Sequence, residues 1–449
     1  MGRLFGTDGV RGVANTELSA DLAFKLGQAG ALVLAAETKH KPIILIGKDT
    51  RISCDMLEGA MIAGICSVGA DVVSLGVIPT PAVAYLTRLY KADAGVVISA
   101  SHNTFEFNGV KFFNGDGFKL ADDVEDKIEH CIKNELDGLE LPVGDKVGRH
   151  SVCGSALADY VGYLKPICSE GLSGLKVALD CANGAAYEAA PALFRELGAD
   201  VAVVGEAPDG MNINASCGST HIDGLLKLTV ESGADVGFAF DGDADRVLAS
   251  DENGRLVDGD ALMALIASDL AGKGRLRGGA VVATVMSNLG LELAMSKIGV
   301  KLIRAPVGDR YVLEEMQKAS CVFGGEQSGH IIYTELGTTG DGVASALMAI
   351  NILAAQKKKF SEIANIMTAM PQVQRNARVA NEKKYRFLED DVVKGKCGEI
   401  ESKFGGEGRV VIRPSGTEPL VRVMIEAKDI DVITKYAEEL VKVIEERLG

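Results

Sequence analysis

Short apolar runs rich in Val and Ile alternate along the chain with stretches whose apolar residues recur every three or four positions. The first of these runs are residues 42–46, 71–75 and 94–99. Residues 56–68, between two of the runs, have helical periodicity. A longer helix is predicted over residues 21–37, which Ser19 or Asp21 can cap. Strands separated by helices in this way are typical of parallel sheets in α/β domains.

The same alternation begins twice more, near residue 151 and near residue 257. The predicted elements of these two units are strands 175–179, 199–204, 235–240, 280–285 and 302–304, and helix 259–271. The third unit ends in a hairpin-like segment, GGEQSGHIIY. The units repeat only an architecture, since their sequences show no similarity at the level of residues.

The pattern changes after about residue 370. Residues 409–413 and 420–426 alternate like antiparallel strands around the turn PSGTEP, and an amphipathic helix follows over residues 432–448. The sequence therefore predicts three related mixed-sheet α/β domains and a smaller C-terminal α+β domain. The predicted domains are residues 1–150, 151–256, 257–369 and 370–449.

Composition narrows the class of partner. The 449 residues are enough for three or four domains, and 47 Lys and Arg against 62 Asp and Glu give a net charge of −15. We therefore expect no nucleic acid and no anionic membrane as a partner, whereas a phosphorylated small molecule needs only a local cluster of cations. We also expect no signal region and no membrane span. Nine Cys without C-x-x-C spacing predict reduced thiols in a cytoplasmic protein.

The segment SASHNTFEFNGVKFF, residues 99–113, follows the third predicted strand directly. A loop at the carboxyl end of a parallel strand is where α/β sheets place ligand chemistry. Ser101 is therefore a candidate nucleophile or phosphate carrier, and His102 and Lys111 are candidate partners for proton transfer and charge stabilisation. Taken alone, a Ser-His pair here is more simply an ordinary turn.

The segment DGDADR, residues 241–246, follows predicted strand 235–240. Its carboxylates, Asp241, Asp243 and Asp245, alternate within a loop of small residues. Clustered carboxylates raise one another's pKa unless a cation neutralises them, and hard oxygen ligands suit Mg²⁺. A solvated acidic turn is the alternative, and the spacing of an EF-hand fits poorly. The preceding strand favours the metal site.

Two further loops have groups that suit a phosphosugar. In GGEQSGH, Glu326 and Ser328 suit vicinal sugar hydroxyls, and His330 is expected to face the same cleft; a surface charge is the alternative for Glu326. In RPSGTEP, a planar guanidinium, hydroxyls and backbone N–H groups suit an anion, although a simple Pro-Gly turn fits equally. The residues of this predicted phosphate cup are Arg413, Ser415, Gly416 and Thr417.

The chain resembles the α-D-phosphohexomutase family from end to end. It has FGTDGVRG, SASHN, DGDADR, GEQSGH and RPSGTEPLVRVM in the family's order. The resemblance implies four domains around a central cleft, one Mg²⁺ per subunit, a bound sugar 1,6-bisphosphate intermediate and a homodimer. It also implies that Ser101 carries a phosphoryl group and contacts the metal together with Asp241, Asp243 and Asp245.

The resemblance further assigns roles within the cleft. Arg11, Lys111 and Arg246 resemble the cations of the transfer site. Either Lys111 or His330 moves the hydroxyl proton, and the sequence does not choose between them. The implied sugar ligands are Glu326 and Ser328, and the implied phosphate ligands are those of the RPSGTEP loop.

Details of the loops resemble the branch that acts on glucosamine phosphates. These details are FGTDGVRG, Gln327 within GEQSGH and Gly416 within RPSGTEP. They imply interconversion of glucosamine 6-phosphate and glucosamine 1-phosphate, on the route to UDP-N-acetylglucosamine and the cell wall. A mutase of glucose or mannose phosphates is the alternative within the family, and a silent phosphosugar-binding regulator or a metal-dependent phosphatase is the alternative outside it. Asp309 stands where some relatives have His, and Ala244 where many have Gly.

Overall fold

The apolar runs form strands of four separate sheets in the computed structural model. The structure describes residues 3–6, 8–36, 38–134, 136, 138–415 and 418–449. Three of the sheets mix parallel and antiparallel strands and are covered by helices, and the fourth is small and antiparallel. The predicted fold class is confirmed.

The first sheet lies near the N-terminus. Its strands are β1 (Val10–Val13), β2 (Ile43–Lys48), β3 (Asp71–Val77), β4 (Ala94–Ile98), β5 (Phe107–Asn114) and β6 (His150–Val152). Its helices are α1 (Ala20–Leu34), α2 (Cys54–Ser67), α3 (Thr80–Leu89) and α4 (Asp122–Asn134). The strand order is β1-β5-β4-β2-β3-β6. The Ser19 side chain caps α1 by accepting a hydrogen bond from the Leu22 amide, and α1 ends at Leu34, before the predicted limit.

The second and third sheets follow the same plan. The second unit contains α5 (Ala156–Leu164), β7 (Lys176–Asp180), α6 (Ala186–Glu196), β8 (Asp200–Val204), α7 (Asp223–Ser232), β9 (Val236–Phe240), β10 (Val247–Asp251) and β11 (Leu256–Val257). The third contains α8 (Gly259–Gly272), β12 (Ala280–Thr284), α9 (Leu289–Lys297), β13 (Lys301–Ala305), α10 (Asp309–Lys318), β14 (Phe323–Gly325), β15 (Ile331–Tyr333), α11 (Gly342–Gln356) and α12 (Phe360–Ile363). Their strand orders are β11-β10-β9-β7-β8 and β13-β12-β14-β15.

The fourth unit contains β16 (Gln372–Arg378), α13 (Asp391–Lys403), β17 (Gly408–Pro414), β18 (Leu420–Ala427) and α14 (Ile430–Leu448). Its strands pair in the order β16-β18-β17. This unit has a hydrophobic core of its own, whereas one continuous core joins the first three units. The predicted domain limits stay a prediction. Two strands lie at these limits: β6 pairs with the first sheet and β11 with the second.

Glu426 of β18 attaches the fourth unit to the third. Its buried carboxylate pairs with Arg409 and accepts hydrogen bonds from the Asn288 side chain and the Leu289 amide, both at 3.2 Å. The Asn288 side chain also exchanges two hydrogen bonds with the backbone of Met370, at 2.8 and 3.0 Å. These contacts therefore hold the segment that contains Met370, between α12 and β16, against the first turn of α9.

Among the described residues, none of the helices combines the length and the apolar character that a membrane span requires.

The close packing of α1 against α2 gives a matched stability test. A Cβ on Gly64 would lie 2.1 Å from the Phe24 carbonyl oxygen, whereas a Cβ on Gly59 of the same helix would meet nothing within 4 Å. We expect Gly64→Ala to destabilise the protein by about 1–3 kcal/mol through overpacking. Gly59→Ala should stabilise it by up to about 1 kcal/mol, because Ala favours helix more than Gly. Thermal unfolding of both variants checks this, and equal shifts in Tm would contradict it.

Candidate active site

Three of the predicted motif loops occupy the same topological position. Each joins the last parallel strand of its sheet to an antiparallel neighbour: β4 to β5, β9 to β10, and β14 to β15. Ser101 lies in the first loop, the three aspartates in the second and Glu326 in the third. The repeated topology therefore brings the three loops to equivalent edges of their sheets, where they meet.

Ser101 is buried beside the acidic loop. Its hydroxyl donates to Asp241 Oδ2 at 2.6 Å, and its backbone is left-handed, with φ at 52°. His102 Nδ1 lies 3.4 Å from the Ser101 hydroxyl. Burial, followed by the charges of Arg246 and Arg11, lowers the pKa of His102, so that its neutral form prevails near pH 7.

The three aspartates form one buried cluster. One carboxylate oxygen from each lies within 4.8 Å of the others. Oδ1 of Asp243 and Oδ1 of Asp245 are buried and have no hydrogen-bond partner among the described residues. Burial and the charges of Asp245 and Asp243 raise the pKa of Asp241 well above its usual range. Converging, unpartnered carboxylate oxygens are the ligands that a hard divalent cation requires, so the residues fit a metal ion.

Cations surround this cluster. Lys111 Nζ lies 3.0 Å from Asp243 Oδ2, 3.2 Å from Asp8 Oδ2 and 3.7 Å from Asp245 Oδ2. Burial alone would lower the pKa of Lys111, but Asp243 and Asp8 raise it, and the ammonium group keeps its charge. Arg246 Nε lies 3.8 Å from Asp245 Oδ1.

Arg11 and Arg246 retain unused donors. The Nε atoms of both side chains are buried and have no hydrogen-bond partner within the part of the chain that the structure describes. A buried N–H of a guanidinium group is costly to leave unpaired. These two donors therefore suit the oxygens of an anion beside Ser101.

Models of four domains match the chain. They are phosphoglucomutase/phosphomannomutase alpha/beta/alpha domains I, II and III, over residues 2–138, 158–254 and 258–370, and the C-terminal domain, over residues 375–443. The chain belongs to the phosphoglucomutase/phosphomannomutase family. Two curated relatives, each named phosphoglucosamine mutase, come from Acetivibrio thermocellus and Ruminiclostridium cellulolyticum. They are 61% and 60% identical to it, with full coverage of both chains.

Solved structures of the family share the fold. A phosphoglucomutase/phosphomannomutase family protein from Burkholderia thailandensis matches with a TM-score of 0.84 at 21% identity, covering 99% of this chain and 97% of the other. Aspergillus fumigatus N-acetylphosphoglucosamine mutase, solved in complex with GlcNAc-6P and magnesium, matches with a TM-score of 0.65 at 18% identity. That match covers 99% of this chain and 96% of the other.

The structure places His330 behind the acidic loop. The ring is 2% exposed, and its Nδ1 lies 3.5 Å from Asp245 Oδ2. Its Nε2 accepts a hydrogen bond from the Gly340 amide at 3.0 Å and lies 3.6 Å from Asp309 Oδ2. His330 therefore links the second unit to the third through Asp245, and its access to the substrate cleft stays a prediction.

Lys119 closes a ring of polar and charged side chains around the aspartate cluster. It pairs with Asp309 and lies 2.8 Å from Asp8 Oδ1. Asp8 contacts Lys111, Lys111 contacts Asp245, and His330 then leads from Asp245 back to Asp309. The ring draws its residues from all three α/β units, so the transfer site requires the three to be docked.

The GGEQSGH loop (the sugar loop, residues 324–330) lies against the DGDADR loop (the metal loop, residues 241–246). Arg246 and His330 form an isolated β-bridge, and the Val247 amide donates to the Gly329 carbonyl at 3.1 Å. Glu326 is half-buried and its Oε1 accepts from the Gly308 amide at 3.2 Å, whereas Ser328 is exposed. Groups expected to bind sugar hydroxyls thus lie next to the transfer site.

The predicted phosphate loop belongs to the fourth unit. Arg413 of β17 is paired in register with Arg422 of β18, and burial and that neighbouring charge lower the pKa of Arg413. Lys384 Nζ donates to the Ser415 carbonyl at 2.6 Å. Gly416 and Thr417 lie outside the described residues. The described part concentrates positive charge, as an anion site requires.

Sequence reasoning missed several residues that build this site. Asp8 lies within the motif FGTDGVRG, so the motif could have identified it as a candidate site residue. Lys119 carries no local signal. Thr80, at the start of α3, donates its hydroxyl to Asp243 Oδ2 at 2.7 Å and its amide to the Asp243 carbonyl at 2.9 Å. Thr80 thus orients the metal loop from the first unit.

Removing one carboxylate charge tests the metal site. We expect Asp243→Asn to raise the Mg²⁺ concentration for half-maximal activity by more than about tenfold, because the loop loses a charged oxygen donor. Calorimetric titration of the protein with Mg²⁺ should show the same weakening without substrate. Asp200→Asn, an exposed acid of β8 in the same sheet, is the control and should bind Mg²⁺ as the unaltered protein does. An unchanged titration of Asp243→Asn would remove it from the ligand set.

Proposed function

We propose that the protein is a phosphoglucosamine mutase, an isomerase that interconverts glucosamine 6-phosphate and glucosamine 1-phosphate. The observation that carries the proposal is the buried Ser101 hydroxyl, 2.6 Å from Asp241 within a cluster of three aspartates. The full-length relatives at 61% and 60% identity support glucosamine as the sugar. The product would feed UDP-N-acetylglucosamine and cell-wall synthesis.

Ser101 acts as the carrier of the phosphoryl group. In the active enzyme its phosphoester O–P bond breaks, and a new O–P bond forms to the free hydroxyl of the sugar monophosphate. The bound 1,6-bisphosphate then reorients and returns its other phosphoryl group to Ser101. Asp241, Asp243 and Asp245 would hold one Mg²⁺, which would neutralise charge on the phosphoryl oxygens.

The protein's own cations and proton carriers complete the transfer. Arg11 and Arg246 direct their unpartnered Nε donors toward the phosphoryl oxygens. Lys111, which is charged at rest, gives its proton to the Ser101 oxygen as the phosphoryl group leaves and can then take the proton of the attacking hydroxyl; His330 is the alternative carrier. Lys111 reaches Asp243 and His330 reaches Asp245, so either carrier delivers its proton beside the acidic loop.

Binding of the rest of the substrate is shared between the third and fourth units. Glu326 and Ser328 hold the sugar's 3- and 4-hydroxyls in both orientations. The phosphate that does not react is held by the fourth unit, through Arg413, Ser415, Gly416 and Thr417. Holding the sugar away from the reacting atoms fixes either phosphate beside Ser101 and excludes water from the phosphoenzyme. We also propose that the protein is a homodimer and is cytoplasmic.

The choice of sugar is tested by comparing substrates. We expect the highest kcat/KM with glucosamine 6-phosphate, and lower values with glucose 6-phosphate and mannose 6-phosphate, each assayed with its own 1,6-bisphosphate. A coupled assay for the 1-phosphate product measures all three. Preference for mannose or glucose phosphate would overturn the glucosamine assignment and leave the mutase chemistry intact.

Replacing Ser101 tests the carrier. Ser101→Ala and Ser101→Gly should each lose nearly all mutase activity while the fold is kept, and Gly also suits the left-handed backbone at this position. Intact-mass measurement after incubation with a sugar 1,6-bisphosphate should show one added phosphate on the unaltered protein and none on either variant. Full activity in both variants would end the phosphoserine mechanism.

A further inference from the structure

Arg51 is a fully buried cation that the described mechanism leaves unused. Its side chain is 0% exposed, and its Nε donates to Asp49 Oδ2 at 2.8 Å. Its two terminal nitrogens donate to four backbone carbonyls of the Ser101 loop. These carbonyls belong to Ser101, Asn103, Thr104 and Phe107. The loop is thus wrapped around one guanidinium group.

Asn214 reaches the same loop from the second unit. Its side-chain amide donates to the carbonyls of Ser101 and Asn103, both at 2.9 Å. Arg51 donates to the same two carbonyls, at 2.9 and 2.8 Å. Each carbonyl therefore accepts one hydrogen bond from each unit. Gly242 of the metal loop packs against this point, where a Cβ would lie 2.4 Å from the Ser101 carbonyl oxygen.

Asp49 orients the other side of the serine. Its Oδ2 accepts from the Ser99 hydroxyl at 2.6 Å, and the Ser99 hydroxyl in turn accepts from the Ser101 amide at 2.9 Å. The amide and the carbonyl of Ser101 are thus both held by the Asp49–Arg51 pair. This arrangement fixes a left-handed conformation that serine rarely adopts.

We propose that Arg51 and Asn214 are positioning residues for phosphoryl transfer, holding the Ser101 loop of the first unit against the metal loop of the second. The inference rests on the proposed function. Without these bonds the Ser101 hydroxyl moves relative to Asp241, although neither residue touches substrate. Because transfer between groups misplaced by about 1 Å slows by about 100-fold, the effect falls on kcat more than on KM.

Asn214→Gly is the main test, because Gly removes the two donors and accepts the left-handed backbone at this position. We expect transfer from pre-phosphorylated enzyme to glucosamine 6-phosphate to slow by about 100-fold in single-turnover measurements, with KM nearly unchanged. Arg51→Lys, which keeps a cation beside Asp49 but loses the planar fork, should show the same split. Ser216→Gly is the matched control, since Ser216 is exposed on the same loop and is also left-handed.

The outcomes separate the two proposals. A variant that loses thermal stability but keeps the transfer rate of its folded fraction would show a purely structural role and overturn the positioning inference. An equal loss in Ser216→Gly would overturn it as well. If the unaltered enzyme neither accepts phosphate on Ser101 nor passes it to the sugar, the proposed function itself fails. Slowed transfer in both variants with a normal control supports the inference.

Discussion

Repulsion among three buried carboxylates is the constraint on which the site depends. Asp241, Asp243 and Asp245 stand within one loop that water does not reach. Buried charges of one sign are unfavourable unless cations approach them closely. The protein meets this requirement with the ammonium group of Lys111 from the first unit and with His330 Nδ1 from the third, and a bound metal ion would satisfy the two oxygens that have no partner among the described residues. Assembly of three units around one loop is therefore an electrostatic necessity.

The repeated topology explains how the groups reach that loop. In each α/β unit the chain turns back at the end of its last parallel strand, and the three turns carry Ser101, the three aspartates and Glu326. One continuous hydrophobic core then locks the three units together, which keeps the transfer site rigid. The fourth unit has its own core and contacts the third through Glu426 and its partners. This separation suits the proposed reaction, in which the substrate presents either of its phosphates to Ser101.

Much of this could be predicted from local patterns. Buried strands such as β2 and β9 are short and apolar, and helices such as α1 show their period and their cap. The antiparallel strands β5 and β10 were not predicted, because they mix polar and apolar residues and their pairing partners are set by the sheet. The motif loops were found from residue types, which are chemistry-bearing and local. Lys119 was not found in this way, since no local pattern marks an isolated lysine and only the tertiary fold places it beside Asp8 and Asp309.

The contacts that Arg51 makes with the Ser101 loop could not be predicted from local sequence patterns either. Arg51 resembles any surface arginine in sequence, yet it is buried where carbonyls of the loop after β4, such as those of Ser101 and Asn103, need hydrogen-bond donors. A guanidinium group offers five N–H donors in a fixed plane, which matches several carbonyls of one turn better than any other side chain. Burying that charge requires Asp49, and Asp49 in turn fixes the Ser101 amide through Ser99. The unusual backbone of the reactive serine is thus a consequence of satisfying buried polar groups, and the position of its hydroxyl beside Asp241 follows from it.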